Sequence, residues 1–396
     1  MAAAPILAER TEIPASGWSD ERRAWLRLAR SRGVGATLFC RLIERFGKAE
    51  AALAALPRLR AKGELAGVDL LAEAAVEEEI EALEGLGGEL LLGCDPAYPA
   101  ALAAIADPPP VLALQGRMEL LAARPLAIVG ARNASGNGRF LARALAREAS
   151  QRDLVIVSGL ARGIDTAAHE GGLEGPGSTI AVLGSGIDIA YPPENAELLA
   201  RIATEGLVMS ERPIGTPPLA RHFPRRNRII AGLASAVLVV EAAARSGSLM
   251  TARLAAAEGR EVMAVPGSPL DPRHAGTNQL LRDGAALVTS IDDVLEALPA
   301  WSRPQAPVGP PSPVAPRPQR NAAKPRPAPQ PECPAPQAPP LPDRIAMLVG
   351  VEPMPVDEVI RQCHAKPAEV QQALLDLELD GRVRRHPGNR ISRALA

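Results

Sequence analysis

The stretch His222-Phe223-Pro224-Arg225-Arg226-Asn227-Arg228-Ile229-Ile230 crowds three arginines and an asparagine around one proline suited to the first turn of a helix. No acidic residue occurs from Arg212 to Val240. Ala231 to Ala236 reads as the rest of a short helix, and Val237-Leu238-Val239-Val240-Glu241 as a buried strand. The arginines are therefore expected at a helix N-terminus, where unpaired backbone N–H groups and the macrodipole favour an anion. Their planar donor forks match phosphate oxygens. A surface ion-pair cluster is the competing reading. With no carboxylate close in sequence, an anionic partner is the better expectation.

Four other turns carry related chemistry. Gly130-Ala131-Arg132-Asn133-Ala134-Ser135-Gly136-Asn137-Gly138 leads from a strand to a helix, but has neither Gly-x-Gly-x-x-Gly spacing nor the Lys-Ser/Thr of a nucleotide-triphosphate loop. Ser158-Gly159-Leu160-Ala161-Arg162-Gly163-Ile164-Asp165 sets an arginine between glycines, and no acid ends the strand for a dinucleotide ribose. Arg162 is the expected anion contact. Asp165 fits the first helical turn, with His169 one turn on; an acid/base pair is the less favoured alternative. Gly184-Ser185-Gly186-Ile187-Asp188-Ile189-Ala190-Tyr191-Pro192 forms a third turn. Arg245-Ser246-Gly247-Ser248-Leu249-Met250-Thr251 gathers hydroxyls and N–H groups at another helix start, an anion cradle. Phe223 is the candidate for stacking on a base, with core packing as its alternative.

Positioning these turns requires an α/β domain. Leu126 to Val129, Leu154 to Val157, Thr179 to Leu183, Leu207 to Met209, Val237 to Val240 and Glu261 to Val265 are short apolar strands alternating with helices. Such a pattern predicts a Rossmann-like, doubly wound, mostly parallel sheet over residues 94–300, with ligands at the carboxyl ends of the strands. After a flexible stretch 1–20, residues 21–93 show helical periodicity through Trp25, Leu26, Leu38, Leu42, Ile80 and Leu83, which predicts a small helical domain of SAM or helix-hairpin-helix type. Its Arg32-Gly33-Val34-Gly35 fits either a phosphate-approaching hairpin or a tight αα-turn. Residues 301–342 hold about 16 of the 40 prolines and predict a disordered, weakly basic linker. Residues 343–396 predict three helices and a two-stranded basic ribbon turning at Pro387-Gly388, a winged helix. Arg382, Arg384, Arg385 and Arg390 suit DNA contact and a solvated edge of a protein-interaction module equally.

Composition narrows the classes. A net charge of -1 and a pI near 6.6 exclude coating of nucleic acid by bulk charge, so phosphate binding must be local. The four cysteines, Cys40, Cys94, Cys333 and Cys363, lie far apart and without nearby histidine pairs, which predicts no metal site and a reducing cytoplasm. The start has no basic-then-apolar order, and the longest apolar run, Ile229 to Val240, is too short to span a bilayer. Neither secretion nor membrane insertion is expected. Aromatics at 2% rule out a wide base-stacking platform.

Gly130-Ala131-Arg132, Ser158 to Asp165 with His169, Gly186-Ile187-Asp188 with Tyr191-Pro192, Phe223-Pro224-x-Arg226-Asn227-Arg228 through Leu233, Val240-Glu241 with Ser246-Gly247-Ser248-x-x-Thr251, and Val265-Pro266-Gly267 together resemble the signature series of the DNA-processing protein A family, also called DprA or Smf. Six motifs occur in order across Pro99 to Leu298, and the flanking domains fit the same family. The resemblance implies a cofactor-free binder of single-stranded DNA that protects it, loads the RecA recombinase and acts in natural transformation, and that dimerises through the Rossmann-like domain. By resemblance Arg132, Arg162, Arg226, Asn227 and Arg228 hold the DNA backbone. Two residues depart from the family pattern: Ala131 stands where Ser or Thr is common, and Thr277 where Cys is common. The competing class is an enzyme, since Arg228, Glu241 and Ser246-Gly247-Ser248 also resemble nucleotide-processing phosphoribohydrolases. No paired carboxylates or histidine cluster support it, and the winged helix would have no use there.

Overall fold

The computed structural model describes residues 17–61, 65, 67–300, 341–350, 354–356, 359, 367–387 and 390–393. They divide into a larger unit within residues 1–269 and 273–304 and a smaller one that takes in residues 305–396. Of the expected linker, residues 301–340 lie outside the described residues, and Leu341 already begins a helix, Leu341–Leu348.

Four helices open the larger unit: α1 (Asp20–Arg30), α2 (Ala36–Phe46), α3 (Ala49–Ala61) and α4 (Glu73–Gly85). α1 starts because the Ser19 hydroxyl accepts from the Arg22 N–H (3.3 Å), with Asp20 and Glu21 in its first turn and Arg27 and Arg30 in its last, as the macrodipole favours. Its stripe of Trp25, Leu26 and Leu28 is buried with Phe39, Leu42, Leu56 and Leu83. The Trp25 ring meets Phe39 edge-on at 4.8 Å. Trp25 Nε1 also donates to the Pro110 carbonyl (2.8 Å), and Arg22 pairs with Asp95 where both are buried. The helical segment thus packs directly on the sheet domain.

That domain is a nine-stranded sheet of β1 (Gly88–Leu92), β2 (Val111–Gly116), β3 (Arg124–Val129), β4 (Leu154–Ser158), β5 (Thr179–Leu183), β6 (Leu207–Ser210), β7 (Ala236–Val239), β8 (Glu261–Ala264) and β9 (Ala286–Leu287) in the order β1-β2-β6-β5-β4-β3-β7-β8-β9. β3 to β9 run parallel, while β1 and β2 add an antiparallel edge beside β6. The sheet therefore begins at Gly88, ahead of the boundary expected at residue 94. The helices between strands are α5 (Ala100–Ala103), α6 (Gly136–Ser150), α7 (Ile164–Gly172), α8 (Ala196–Glu205), α9 (His222–Leu233), α10 (Ser248–Ala257) and α11 (Ala275–Arg282), and α12 (Ile291–Ala297) follows the last strand. Alternate residues of each strand face opposite layers. Leu126, Ile128, Leu154 and Ile156 pack with α6 and α7, whereas Ala127, Val129, Val155 and Val157 pack with α9 and α10. Both faces are covered, which is why the strands read as unbroken apolar runs. The order reverses between β3 and β7, the position where doubly wound sheets open a crevice.

In the smaller unit, Leu341–Leu348 and a second helix, Pro367–Leu379, enclose a core of Ile345, Val356, Val359, Leu374, Leu377 and Ile391. Its sheet has three strands, not two, because β10 (Met354–Pro355) joins β12 (Arg390–Arg393) on the side away from β11 (Val383–His386). The expected middle helix, 355–363, lies mostly outside the described residues.

Candidate nucleic-acid interface

At the crevice between β3 and β7, where a Rossmann enzyme would hold a nucleotide phosphate, the chain places its own carboxylate. Ser135 caps α6 by accepting from the Gly138 N–H (2.8 Å), and both its backbone N–H (2.9 Å) and its hydroxyl donate to Glu241. Glu241 is 1% exposed. A Cβ on Gly138 would lie 2.5 Å from that carboxylate, so glycine is needed for it to sit there. Gly130 leaves room for the Ile164 side chain (2.6 Å from a built Cβ) and not for a ligand. The positive end of α6 is thus already neutralised, and the first turn cradles no phosphate there.

The second turn is braced from within. Ser158 is buried, and its hydroxyl donates to the Ile128 carbonyl (2.7 Å), so it is unavailable to DNA. Asp165 accepts from the N–H groups of Gly159 (3.1 Å) and Ala161 (3.4 Å), and burial raises its pKa although the nearby Arg226 opposes the shift. His169 Nε2 accepts from the Leu160 N–H (3.2 Å), and its Nδ1 meets the Thr179 hydroxyl (2.7 Å), which donates to the Ile156 carbonyl (2.8 Å). Burial, followed by Arg226, holds His169 down to about 3. Asp165 is spent on backbone N–H groups and His169 on the Leu160 N–H and the Thr179 hydroxyl, so the two form no acid/base pair; they fix Leu160 at its positive φ of 55°. Gly163, at φ 79°, lets the turn close on the Ala131 and Arg132 carbonyls. The Ala131 carbonyl accepts from the Ile164 N–H (3.2 Å), so residue 131 works through its backbone. Arg162 is exposed at the rim but paired with Glu194.

α9 sorts the clustered arginines into different roles. Pro224 is the third helical residue, and Arg226 and Arg228 lie deeper than the expected N-terminal position. Arg226 is 6% exposed, and its Nη1 donates to the carbonyls of Gly159 (2.6 Å) and Val182. It ties the ends of β4 and β5 together, and burial lowers it to about 10. Gly159 is the residue that makes room for this guanidinium. Asn227 is half-buried and accepts from Arg226 Nε (3.2 Å). Arg228 is buried too, paired with Glu211 and with Asp107 (3.1 Å). Glu211 lies just beyond the acid-free stretch, and Asp107 is remote in sequence. The expected backbone role of Arg228 is therefore corrected: its charge is already matched by two carboxylates.

What remains open to solvent is a smaller group. Arg132 is exposed, and its guanidinium carbon lies 5.5 Å from the centre of the Phe223 ring. The ring is half-buried, against Gly184, where a Cβ would stand 3.1 Å from Phe223 Cδ1. Tyr191 stacks obliquely on Phe223 at 5.4 Å and is 40% exposed. Tyr191 is not among the contacts expected from the sequence, because its place beside a half-buried phenylalanine follows only from the fold. Arg132, Phe223 and Tyr191 thus meet at the carboxyl ends of β3, β4 and β5. Arg132 has no ion pair among the described residues. An exposed cation beside two aromatic faces can hold a phosphate and stack a base.

The fourth turn is only partly open. Ser246 and Ser248 bond to each other through their hydroxyls (2.7 Å) at the start of α10, Gly247 is exposed, and Thr251 is buried one turn in. Thr277 is buried, with its hydroxyl on the His274 carbonyl (3.1 Å). Among the described residues there is no cluster of three or more histidine, cysteine or acidic side chains that could hold a metal ion, and no helix long and apolar enough to cross a membrane.

Residues 89–299 match the model of the DNA recombination-mediator protein A family, residues 19–82 that of the DprA-like N-terminal HHH domain, and residues 325–389 that of the DprA winged helix domain. Protein Smf of Escherichia coli is 38% identical over 318 residues, 80% of this chain and 80% of that protein. The DNA processing protein DprA of Streptococcus pneumoniae is 48% identical over 201 residues, 51% of this chain and 71% of that protein. The X-ray structure of DNA processing protein A from Streptococcus pneumoniae aligns with a TM-score of 0.61 and 33% identity, over 72% of this chain and 99% of that one. With all three domains matched in order and the Rossmann-like sheet shared with a solved relative, the chain belongs to the DNA recombination-mediator protein A (DprA/Smf) family of DNA processing proteins.

Proposed function

We propose that the chain binds single-stranded DNA at the carboxyl ends of β3 to β5, without chemically altering it, to protect the strand and load a RecA recombinase during natural transformation and recombination. It acts in the cytoplasm as a homodimer formed through the sheet domain. The observation that carries the reading is the exposed Arg132, without an ion pair among the described residues, over the Phe223–Tyr191 pair. The recombination-mediator family to which the chain belongs supports the RecA role. The smaller unit supplies a further contact, to duplex DNA or to a protein; Arg384 is exposed on β11, while Arg385 pairs with Glu378 (3.4 Å). Against a phosphoribohydrolase activity stands Glu241, spent on the cap of α6.

Phe223→Ala and Arg132→Ala test the binding mode with oligo-dT in a gel-shift or anisotropy titration. Loss of one stacked base is worth about 1–3 kcal/mol, so Phe223→Ala should weaken binding roughly 5- to 150-fold. Wild-type affinity in both variants at moderate salt would refute the proposal.

A further inference from the structure

Two exposed arginines lie on the side of α9 away from Phe223, and a third precedes the helix. Arg221, at its N-cap, and Arg225 are four residues apart, hence on one face, and both are exposed. Arg225 lies about 200° around the helix from Phe223, at about 100° per residue, so this face is not the one that carries the ring. Arg212, half-buried in the segment leading to α9, lies near enough to Arg225 for the two charges to repel. Burial comes first among the causes that lower its pKa; Glu211 opposes, and Arg225, Arg30 and Arg228 push the same way as burial. His222, the residue after Arg221, is 7% exposed, and its Nδ1 is buried. Its pKa is lowered by burial, then by Arg212 and Arg221, while hydrogen bonds with the Gly184 and Pro217 backbone oppose the shift.

No carboxylate lies within ion-pair distance of Arg212, Arg221 or Arg225 among the described residues. Glu211, the nearest acid in sequence, is committed to Arg228. Glu211 offsets part of the charge on Arg212, but no ion pair neutralises any of the three among the described residues. Arg30, from the end of α1, donates to the Glu211 carbonyl (2.7 Å), so the group lies where the helical segment meets the sheet domain.

We infer that Arg212, Arg221 and Arg225 form a second subsite for backbone phosphates of a single DNA strand, separate from the Arg132–Phe223–Tyr191 stack and reached only by a strand that rounds the start of α9. The inference rests on the single-strand reading above. The two are distinguished by anisotropy titrations of the full chain with oligo-dT of about 4 and about 16 nucleotides, which span the usual range of single-strand site sizes.

The Arg212→Ala/Arg221→Ala double variant should bind the short strand as the wild type does. On the long strand its salt slope should be shallower by about 1.4, taking about 0.7 per lost phosphate contact, or about 25-fold in relative affinity over a tenfold change in salt. Arg212→Lys/Arg221→Lys should restore the slope, which a role confined to folding would not require. A double alanine variant with the wild-type slope on the long strand, beside an Arg132→Ala variant weakened on both lengths, overturns the subsite. If Arg132→Ala changes neither length, the single-strand reading itself fails.

Discussion

Glu241→Gln separates a carboxylate that holds the fold from one that performs chemistry. In the wild type this group takes the Ser135 N–H (2.9 Å) and the Ser135 hydroxyl at the start of α6. Hydrogen bonds to a charged acceptor are worth about 1.5–3 kcal/mol each and neutral ones about 0.5–1.5, so removing the charge costs about 2 kcal/mol over the two. Loss of an anion at a partly buried helix N-terminus adds about 1 kcal/mol. The amide NH2 must also turn one donor towards Ser135, at roughly another 1 kcal/mol. The expected sum is about 4 kcal/mol of unfolding free energy, read as a lowered urea midpoint at an unchanged slope. Oligo-dT affinity well below the unfolding midpoint should stay within about twofold of the wild type, since Glu241 lies outside the Arg132–Phe223–Tyr191 group. The reasoning is refuted if Glu241→Gln leaves stability unchanged, or if the wild type frees base from nucleoside monophosphates and the variant does not.

Arg228→Ala should destabilise the protein by about 3 kcal/mol, because it strands the Glu211 carboxylate, and adding Glu211→Gln should recover part of that loss in a double-mutant cycle. Independence of the two substitutions would show that they do not pair. His169 titrates near 3 in the folded chain and near 6.5 when unfolded, so between those pH values the unfolded state binds the extra proton. Stability should therefore fall as pH drops through that window, by up to about 1.4 kcal/mol per unit, and His169→Gln should flatten the slope; an unchanged slope would place the titration elsewhere. Glu194→Gln releases Arg162 from its exposed pair, should leave stability unchanged, and should tighten oligo-dT binding at low salt. No gain in affinity would remove Arg162 from the strand's path.

The parallel sheet was legible because each strand between α/β crossovers is buried on both faces and must be apolar throughout; Thr179 to Leu183 is such a run, and it forms β5 over those same residues. β1, β2 and β9 do not stand out in the sequence. Val111–Gly116 follows a proline run without a helical crossover, and Ala286–Leu287 is too short to show a period. Glycines at the turn after β3 permit a close approach, and what approaches in the structure is the Glu241 side chain and Ile164.

By itself the sequence determined the order of domains, the sheet's class and the fact that Arg225, Arg226 and Arg228 share one helix, since local periodicity and charge need no long-range contact to be read. Which arginine faces a ligand was decided only by tertiary structure. Asp107 and Glu211 claim Arg228, the carbonyls of Gly159 and Val182 claim Arg226, and Arg132 and Arg225 are left to solvent. A buried cation must find a carboxylate or carbonyls to offset its lost hydration, and those partners come from segments far apart in the chain.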